Sequence, residues 1–251
     1  MTSMPNRCLI IGATGGIGRA LTRLLADDGW SLALAARTEE PLRALAQEIG
    51  ATSHPLDARD PDAVDALVAQ LVAEGHAEGT PPLRGVVLLA GSILLKPAHL
   101  TTPAEFEATI AQNLSAAFHV TRAAAKSMRT QGGSVVLMSS CAASIGLPNH
   151  EAIAAAKAGI EGLMRAAAAS YAPTGLRFNA VAPGLVDTPL AARITQSESA
   201  LKASVAMHPV GRIGQPIDIA RAIRFLLDPA QTFITGQVLG VDGGLSTIKR
   251  G

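Results

Sequence analysis

Aromatic residues are scarce in this chain: five Phe, one Trp and one Tyr make up 3% of its 251 residues. So sparse a set excludes the aromatic stacking platform that single-stranded nucleic acid needs. Charge is thin as well. Only 16% of residues are charged, and 21 basic against 20 acidic side chains leave a net charge of +1. No strong field therefore draws the chain to nucleic acid or to an anionic membrane. No apolar run reaches the roughly 18 residues that would cross a bilayer. The two cysteines, Cys8 and Cys141, have neither disulfide nor metal spacing, and the six histidines show no ligand pattern, so no metal is expected. Cys8, in an apolar run, reads as a small core residue, and Cys141 as a packing residue. The opening MTSMPNRCLIIGATGG lacks a basic region followed by a long apolar stretch and a cleavage site, which predicts a cytoplasmic protein.

What the chain does have is apolar bulk and glycine. Hydrophobic residues make up 48%, and there are 24 glycines, which excludes disorder and calls for a large buried surface, in part between subunits. Short apolar runs at 7–11, 31–35, 85–89, 134–138, 177–181 and 237–241, with a weaker one at 51–55, read as parallel strands covered on both faces. Between them lie helical patterns at 17–28, 39–49, 61–74, 103–128, 152–170 and 216–227. Pro61, Pro103 and Pro216 stand where first-turn prolines belong, each after a candidate cap: Asp60, Thr102 or Gln215. Regular alternation predicts a single α/β domain over 1–251, a Rossmann-type doubly wound parallel sheet between two helix layers. The stretch 184–214 has no clear assignment. Its position suggests a lid over the site, helical in part.

Ligands of such a sheet bind at the carboxyl ends of its strands, and small or polar residues gather there. Gly12, Thr14, Gly15, Gly16, Ile17 and Gly18 follow the first strand. This turn lets backbone N–H groups approach a pyrophosphate at a helix N-terminus. Read simply as a tight strand-to-helix turn, it would carry no ligand. The second strand ends in Leu34-Ala35-Ala36-Arg37, with no carboxylate among them. A guanidinium there suits the 2′-phosphate of NADP(H), whereas NAD binders carry an acidic residue. Asp57 is expected beside the adenine, or else as a turn carboxylate. Ala90 and Gly91, then Ser139 and Ser140, then Pro183 and Gly184 follow the later strands.

With these residues in view, the whole chain resembles the short-chain dehydrogenase/reductase family, in its 3-oxoacyl-reductase-like branch. The resemblance rests on the turn from Gly12 to Gly18, on Asn113 in Gln-Asn-Leu, on Ser139-Ser140 and on Lys157 in Ala-Lys-Ala-Gly. It rests further on Arg-Phe-Asn-Ala-Val-Ala-Pro-Gly ending at Gly184, with Thr188, and on the late runs Ile-Thr-Gly-Gln and Val-Asp-Gly-Gly. It implies a seven-stranded sheet and a homotetramer or homodimer built partly on the two long Ala-rich helices. It also implies a small-molecule substrate, and a cofactor site that includes Ala90, Gly91, Lys157, Pro183, Gly184, Val186 and Thr188.

Two departures from the family pattern pair up: Ile11 stands where the family has Thr, and Leu89 where it has Asn. Losing both polar partners together can be nearly neutral, so this reads as a compensated core swap. A third departure concerns chemistry. The family's active site is Asn, Ser, Tyr and Lys, with the Tyr four residues before the Lys, and that position here is Ile153. The chain's one tyrosine, Tyr171, lies fourteen residues beyond Lys157, about 21 Å along a helix, and cannot replace it within the subunit. Ser140 is expected to bond a substrate oxygen. Lys157 is expected to hold the nicotinamide ribose and support a developing oxyanion, and Asn113 to hold a water chain. His150 shares a helical face with positions 153 and 157 and is the candidate proton donor, with water or Glu151 as alternatives. The expected function is an NADPH-dependent reductase of a carbonyl or imine with a non-standard acid. Reduction of an activated C=C bond, and an inactive NADP(H)-binding partner or sensor, stand as alternatives.

Overall fold

The apolar runs form strands because each can be covered from both sides. In the computed structural model, which describes residues 6–249, every residue of β1 (Arg7–Ile11) is buried. The chain then alternates through α1 (Gly16–Asp27), β2 (Ser31–Ala36), α2 (Glu39–Ile49), β3 (Thr52–Pro55), α3 (Pro61–Glu74) and β4 (Leu83–Leu88). It continues with α4 (Pro103–Ile110), α5 (Ala116–Met128), β5 (Gly133–Met138), α6 (Glu151–Tyr171) and β6 (Leu176–Pro183). Two short helices, α7 (Ala192–Thr195) and α8 (Glu198–Met207), precede α9 (Pro216–Leu227) and β7 (Val238–Val241).

All seven strands are parallel, in the order β3-β2-β1-β4-β5-β6-β7. Side chains of a strand alternate between faces, and β1 shows the consequence. Leu9 and Ile11 pack with residues of α3, α5 and α6, whereas Cys8 and Ile10 pack with residues of α1, α2 and α9. The expected single α/β domain of three layers is thus realised as one sheet between two apolar cores. The strand order reverses between β1 and β4, which is where a crevice opens at the carboxyl edge.

The proline-led helices start where expected. Asp60 Oδ1 accepts hydrogen bonds from the N–H groups of Asp62 (3.0 Å) and Ala63 (3.1 Å). Thr102 and Glu105 form a reciprocal capping box, as do Gln215 and Asp218. The long helix expected at 103–128 is interrupted. A π-helical segment, Ala111–Ser115, separates α4 from α5, because it accommodates an extra residue and turns Asn113 inward to 1% exposure. The stretch 184–214 is partly helical, as expected, with α7 and α8 inside it and Val186 bridged to Gly214. The apolar pair Ile11 and Leu89 meets at the end of β1, where the Leu89 N–H donates to the Ile11 carbonyl at 2.8 Å. The described buried side-chain polar atoms without partners belong to Arg7, Thr22, Asp65 and Thr121, so the swap strands none at this junction. Among the described residues no helix is long and apolar enough to cross a membrane.

Replacing the Asp60 cap with Ala is expected to cost about 1 kcal/mol of stability. Urea denaturation should show a lower midpoint at unchanged slope.

Candidate active site

The crevice is built from the backbone outward. Beyond β1 the N–H groups of Gly12 and Ala13 donate to the Ala35 carbonyl (2.8 and 3.2 Å), while Leu89 and Ala90 N–H donate to the Ile11 carbonyl. β1 is thereby tied to both neighbours just where the chain must turn away. Gly12 makes the turn at φ 92°, and a Cβ there would lie 2.6 Å from Ala90 N. A Cβ on Gly18 would lie 2.4 Å from the Gly12 carbonyl oxygen, and one on Gly16 would lie 2.9 Å from Thr188 Cγ2. Glycines therefore hold α1 against the turn, and the start of the 184–214 segment against α1. Gly15 precedes α1 without a side-chain cap, so the first-turn N–H groups of α1 remain open to an anion.

A groove of about 220 Å³ runs along this turn, lined by Gly12, Thr14, Gly15, Arg37, Asp57, Arg59, Ala90 and Gly91, among others. Asp57 has a turn role as well as a place in the groove wall. It lines the groove and also folds its own turn, accepting from the Arg59 N–H (3.0 Å) and from the Arg59 guanidinium (2.6 Å). The Arg59 hydrogen bonds hold the Asp57 carboxyl down at about 2. Arg59 escaped the sequence reading because it lies in a loop with no motif. A cation two residues after a groove carboxylate was the available signal.

A second cavity of about 150 Å³ abuts the first and shares Leu89, Gly91 and Leu190 with it. Ile17, Ser92, Ile93, Met138, Ser139, Ser140, Ile153, Lys157, Pro183, Gly184, Leu185, Val186, Thr188 and Ala191 complete its wall. Ser140 and Lys157 are thus brought together. The Ser140 Oγ accepts from Ala142 N–H at 3.2 Å, which leaves its O–H to donate. Lys157 Nζ donates to the Met138 carbonyl at 2.9 Å, and burial brings the amine well below the ordinary lysine value, to about 8. Ser139 turns the other way and donates to Glu161 Oε1 at 2.8 Å.

Asn113 sits behind this wall. Its amide nitrogen donates to Ser92 Oγ (3.0 Å) and to the Thr109 carbonyl (2.9 Å), and its Oδ1 accepts from Ser92 N–H (3.3 Å). Both amide protons are committed, so the side chain holds the loop after β4 in place. Gly91 permits this, since a Cβ there would lie 2.8 Å from Asn113 Oδ1.

His150, the candidate donor, and Glu151, its alternative, are not among the residues that line the cavity. His150 precedes the first turn of α6, following Asn149 at φ 65°, and its Nδ1 lies 2.7 Å from the Pro148 carbonyl. Glu151 faces Ala98, whose N–H it accepts at 3.4 Å. Tyr171 packs on Phe178 at 5.9 Å. Cys141 is buried, and burial first and Asp242 second push its thiol up to about 11.

His208 is a further residue that sequence reasoning missed. It is 2% exposed, its Nε2 accepts from the Leu185 N–H (3.2 Å), and its Nδ1 contacts the Ser204 carbonyl (2.7 Å). It pins Leu185, a wall residue, to the end of α8. The late motifs are structural. Asn179 and Arg177 donate to the Ile234 carbonyl, and Asp242 accepts from Gly244 and Ser246 N–H. Another cavity, of about 530 Å³, lies at the opposite end of the sheet. Its arginines are already engaged, Arg84 with the Gln131 carbonyl and Arg177 with those of Ile234 and Asp228.

Between pH 8 and the ordinary lysine range near 10.4, the unfolded chain holds a proton on residue 157 that the folded chain has shed. Stability should therefore rise with pH across that window, by about 3 kcal/mol from this one group. In Lys157→Met that rise should be missing, as read by urea denaturation of both proteins at several pH values.

Comparisons agree with this geometry along nearly the whole chain. Residues 12–246 match a family model described as enoyl-(acyl carrier protein) reductase. The 3-oxoacyl-[acyl-carrier-protein] reductase FabG of Thermotoga maritima is 32% identical over 245 residues, covering 95% of this chain and 96% of the relative. Cis-4-hydroxycyclohexanecarboxylate dehydrogenase of Sinomonas cyclohexanicum is 36% identical over 247 residues, covering 96% of each. Among solved structures, an actinorhodin polyketide ketoreductase with NADPH superposes with a TM-score of 0.89 at 29% identity, over 99% of this chain and 100% of that one. ElxO with NADP bound gives 0.88 at 26% identity, over 96% and 99%. With its seven parallel strands, glycine turn and Ser140–Lys157 cavity, the chain belongs to the short-chain dehydrogenase/reductase family.

Proposed function

We propose that this chain is an NADPH-dependent reductase that delivers hydride to a carbonyl or imine carbon without a tyrosine acid. One observation carries the reading. A glycine-lined groove holding Arg37 and Arg59 runs directly into a cavity holding Ser140 and Lys157. The residues present fit the cofactor. The backbone around Gly12 and Gly18 leaves no room for a Cβ, which is the close approach a pyrophosphate needs. Thr14 and Ile17 flank that turn, while Ala90, Gly91, Pro183, Gly184, Val186 and Thr188 line the two cavities. When bound, NADPH supplies the hydride. Arg37 would bond the 2′-phosphate through charge-assisted contacts.

On this reading Ser140 donates its O–H to the substrate oxygen, while Lys157 favours charge developing there. Asn113 acts as a positioning residue through Ser92. Residues Ile93, Ile153, Leu185 and Leu190 make the substrate side apolar. The 184–214 segment, held by His208, closes that side as a lid. The NADP(H)-bound neighbours support the choice of cofactor.

The chain's self-association is part of the same proposal. Phe106, Phe118, Phe225 and Phe233 are 43%, 52%, 44% and 102% exposed, so four of only five phenylalanines face outward. Apolar surface of this kind is covered in assemblies. Light scattering after size exclusion should give a dimeric or tetrameric multiple of 25.7 kDa.

NADPH should raise the melting temperature more than NADH at equal concentration. Arg37→Ala should weaken NADPH binding about tenfold or more and leave NADH binding nearly unchanged. Equal shifts with the two cofactors would remove the basis for the NADP(H) assignment. A panel of ketones, imines and enones with NADPH identifies the bond reduced, and tight NADPH binding without turnover on any of them would mark a sensor instead.

A further inference from the structure

The cavity that Ser140 lines has one ionisable side chain in its wall among the described residues, Lys157. The other candidate donors in this part of the molecule do not line it. His150 Nδ1 is on the Pro148 carbonyl, Glu151 faces Ala98, and Tyr171 is packed on Phe178 at the far end of α6. The cavity also carries no competing acid one turn before the lysine, where Ile153 presents hydrocarbon.

We propose that Lys157 is itself the general acid of this enzyme, its Nζ passing a proton to the oxygen of the carbonyl being reduced while Ser140 holds that oxygen. The inference rests on the reductase reading above. An ammonium has three N–H groups, and Nζ spends one on the Met138 carbonyl. Room for the others comes from Gly91, where even an added Cβ would still lie 3.6 Å from Nζ. Burial places the amine at about 8, so near neutral pH it is charged yet ready to release its proton, as an efficient acid must be.

The charged groups on the elements around it are occupied elsewhere. On α6, Glu161 accepts from Ser139 and pairs with Arg165 at 3.6 Å. After β7, Asp242 caps the turn at Gly244 and Ser246. Beside β5 the Cys141 thiol is held protonated, and beyond β6 Asp187 is exposed, its own N–H on the Gly214 carbonyl. Burial alone displaces Lys157.

The step balances with NADPH as the two-electron reductant. The substrate carbon gains the hydride, the C=O π pair closes on oxygen, and the new O–H bond forms as one Nζ–H bond breaks. The neutral amine then recovers a proton from water.

The test combines a pH–rate profile with a titration that needs no turnover. The Nζ of ζ-labelled lysine is followed by nitrogen NMR in the NADP⁺-bound protein, with Lys157→Arg supplying the assignment. The expected result is a kcat that falls with unit slope on the alkaline side, at the midpoint where Nζ loses its proton. Lys157→Arg keeps a charge that does not titrate. It should bind NADPH, as read by melting temperature, yet lose about 100-fold in kcat and show no alkaline limb. A profile flat across the Nζ titration, with turnover intact, overturns the assignment and leaves the reductase reading standing. An alkaline limb that survives in Lys157→Arg but vanishes in His150→Gln also overturns it, in favour of His150. Absence of turnover on every carbonyl and imine overturns the reductase reading and this inference together.

Discussion

The crevice exists because the chain can leave β1 without a Cβ. Gly12 stands at φ 92°, with its Cα against the backbone of Leu89 and Ala90, where β2 and β4 diverge on either side of β1. The paired N–H groups of Gly12 and Ala13 bind one neighbour, and the Ile11 carbonyl receives those of Leu89 and Ala90 from the other. A side chain at residue 12 would push these strands apart, and the groove, the orientation of α1 and the contact of Gly16 with Thr188 would change with them. The dinucleotide groove is therefore a property of backbone spacing first and of side chains second.

The second constraint is electrostatic. Lys157 is held in an apolar wall with only a backbone carbonyl for a partner. Burying an amine this way costs stability at neutral pH, and folds carry such costs where function requires them. Ile153, which lines the same cavity, adds hydrocarbon to that wall. Among the described residues of this wall, Lys157 is the one ionisable side chain, set among the hydroxyls of Ser92, Ser139, Ser140 and Thr188.

Much of this arrangement was legible from residue order. Prolines after Asp60, Thr102 and Gln215 announced helix starts, because a first-turn proline loses no hydrogen bond. Continuous apolar runs announced strands covered on both faces, and the turn from Gly12 to Gly18 announced the crevice. The π segment was not legible. Nothing in Ala-Gln-Asn-Leu-Ser departs from a helical pattern, and the bulge lies where Asn113 meets Ser92 across the fold. His208 was equally silent, because the Leu185 N–H it accepts is brought near only by folding, whereas Arg59 pairs with Asp57 two residues away and lacked only a motif to mark it.

By itself the sequence determined the alternation of strands and helices, the glycine turn, and the identity of residue 153. These depend on local periodicity, on backbone freedom and on what is written at one position. Tertiary structure alone decided which side chains face the cavity. His150, for example, is not among those that line it. With the helix starting at Glu151, its ring turns to the Pro148 carbonyl. The direction of a side chain depends on where its element begins and what packs against it, and no spacing along the chain encodes that.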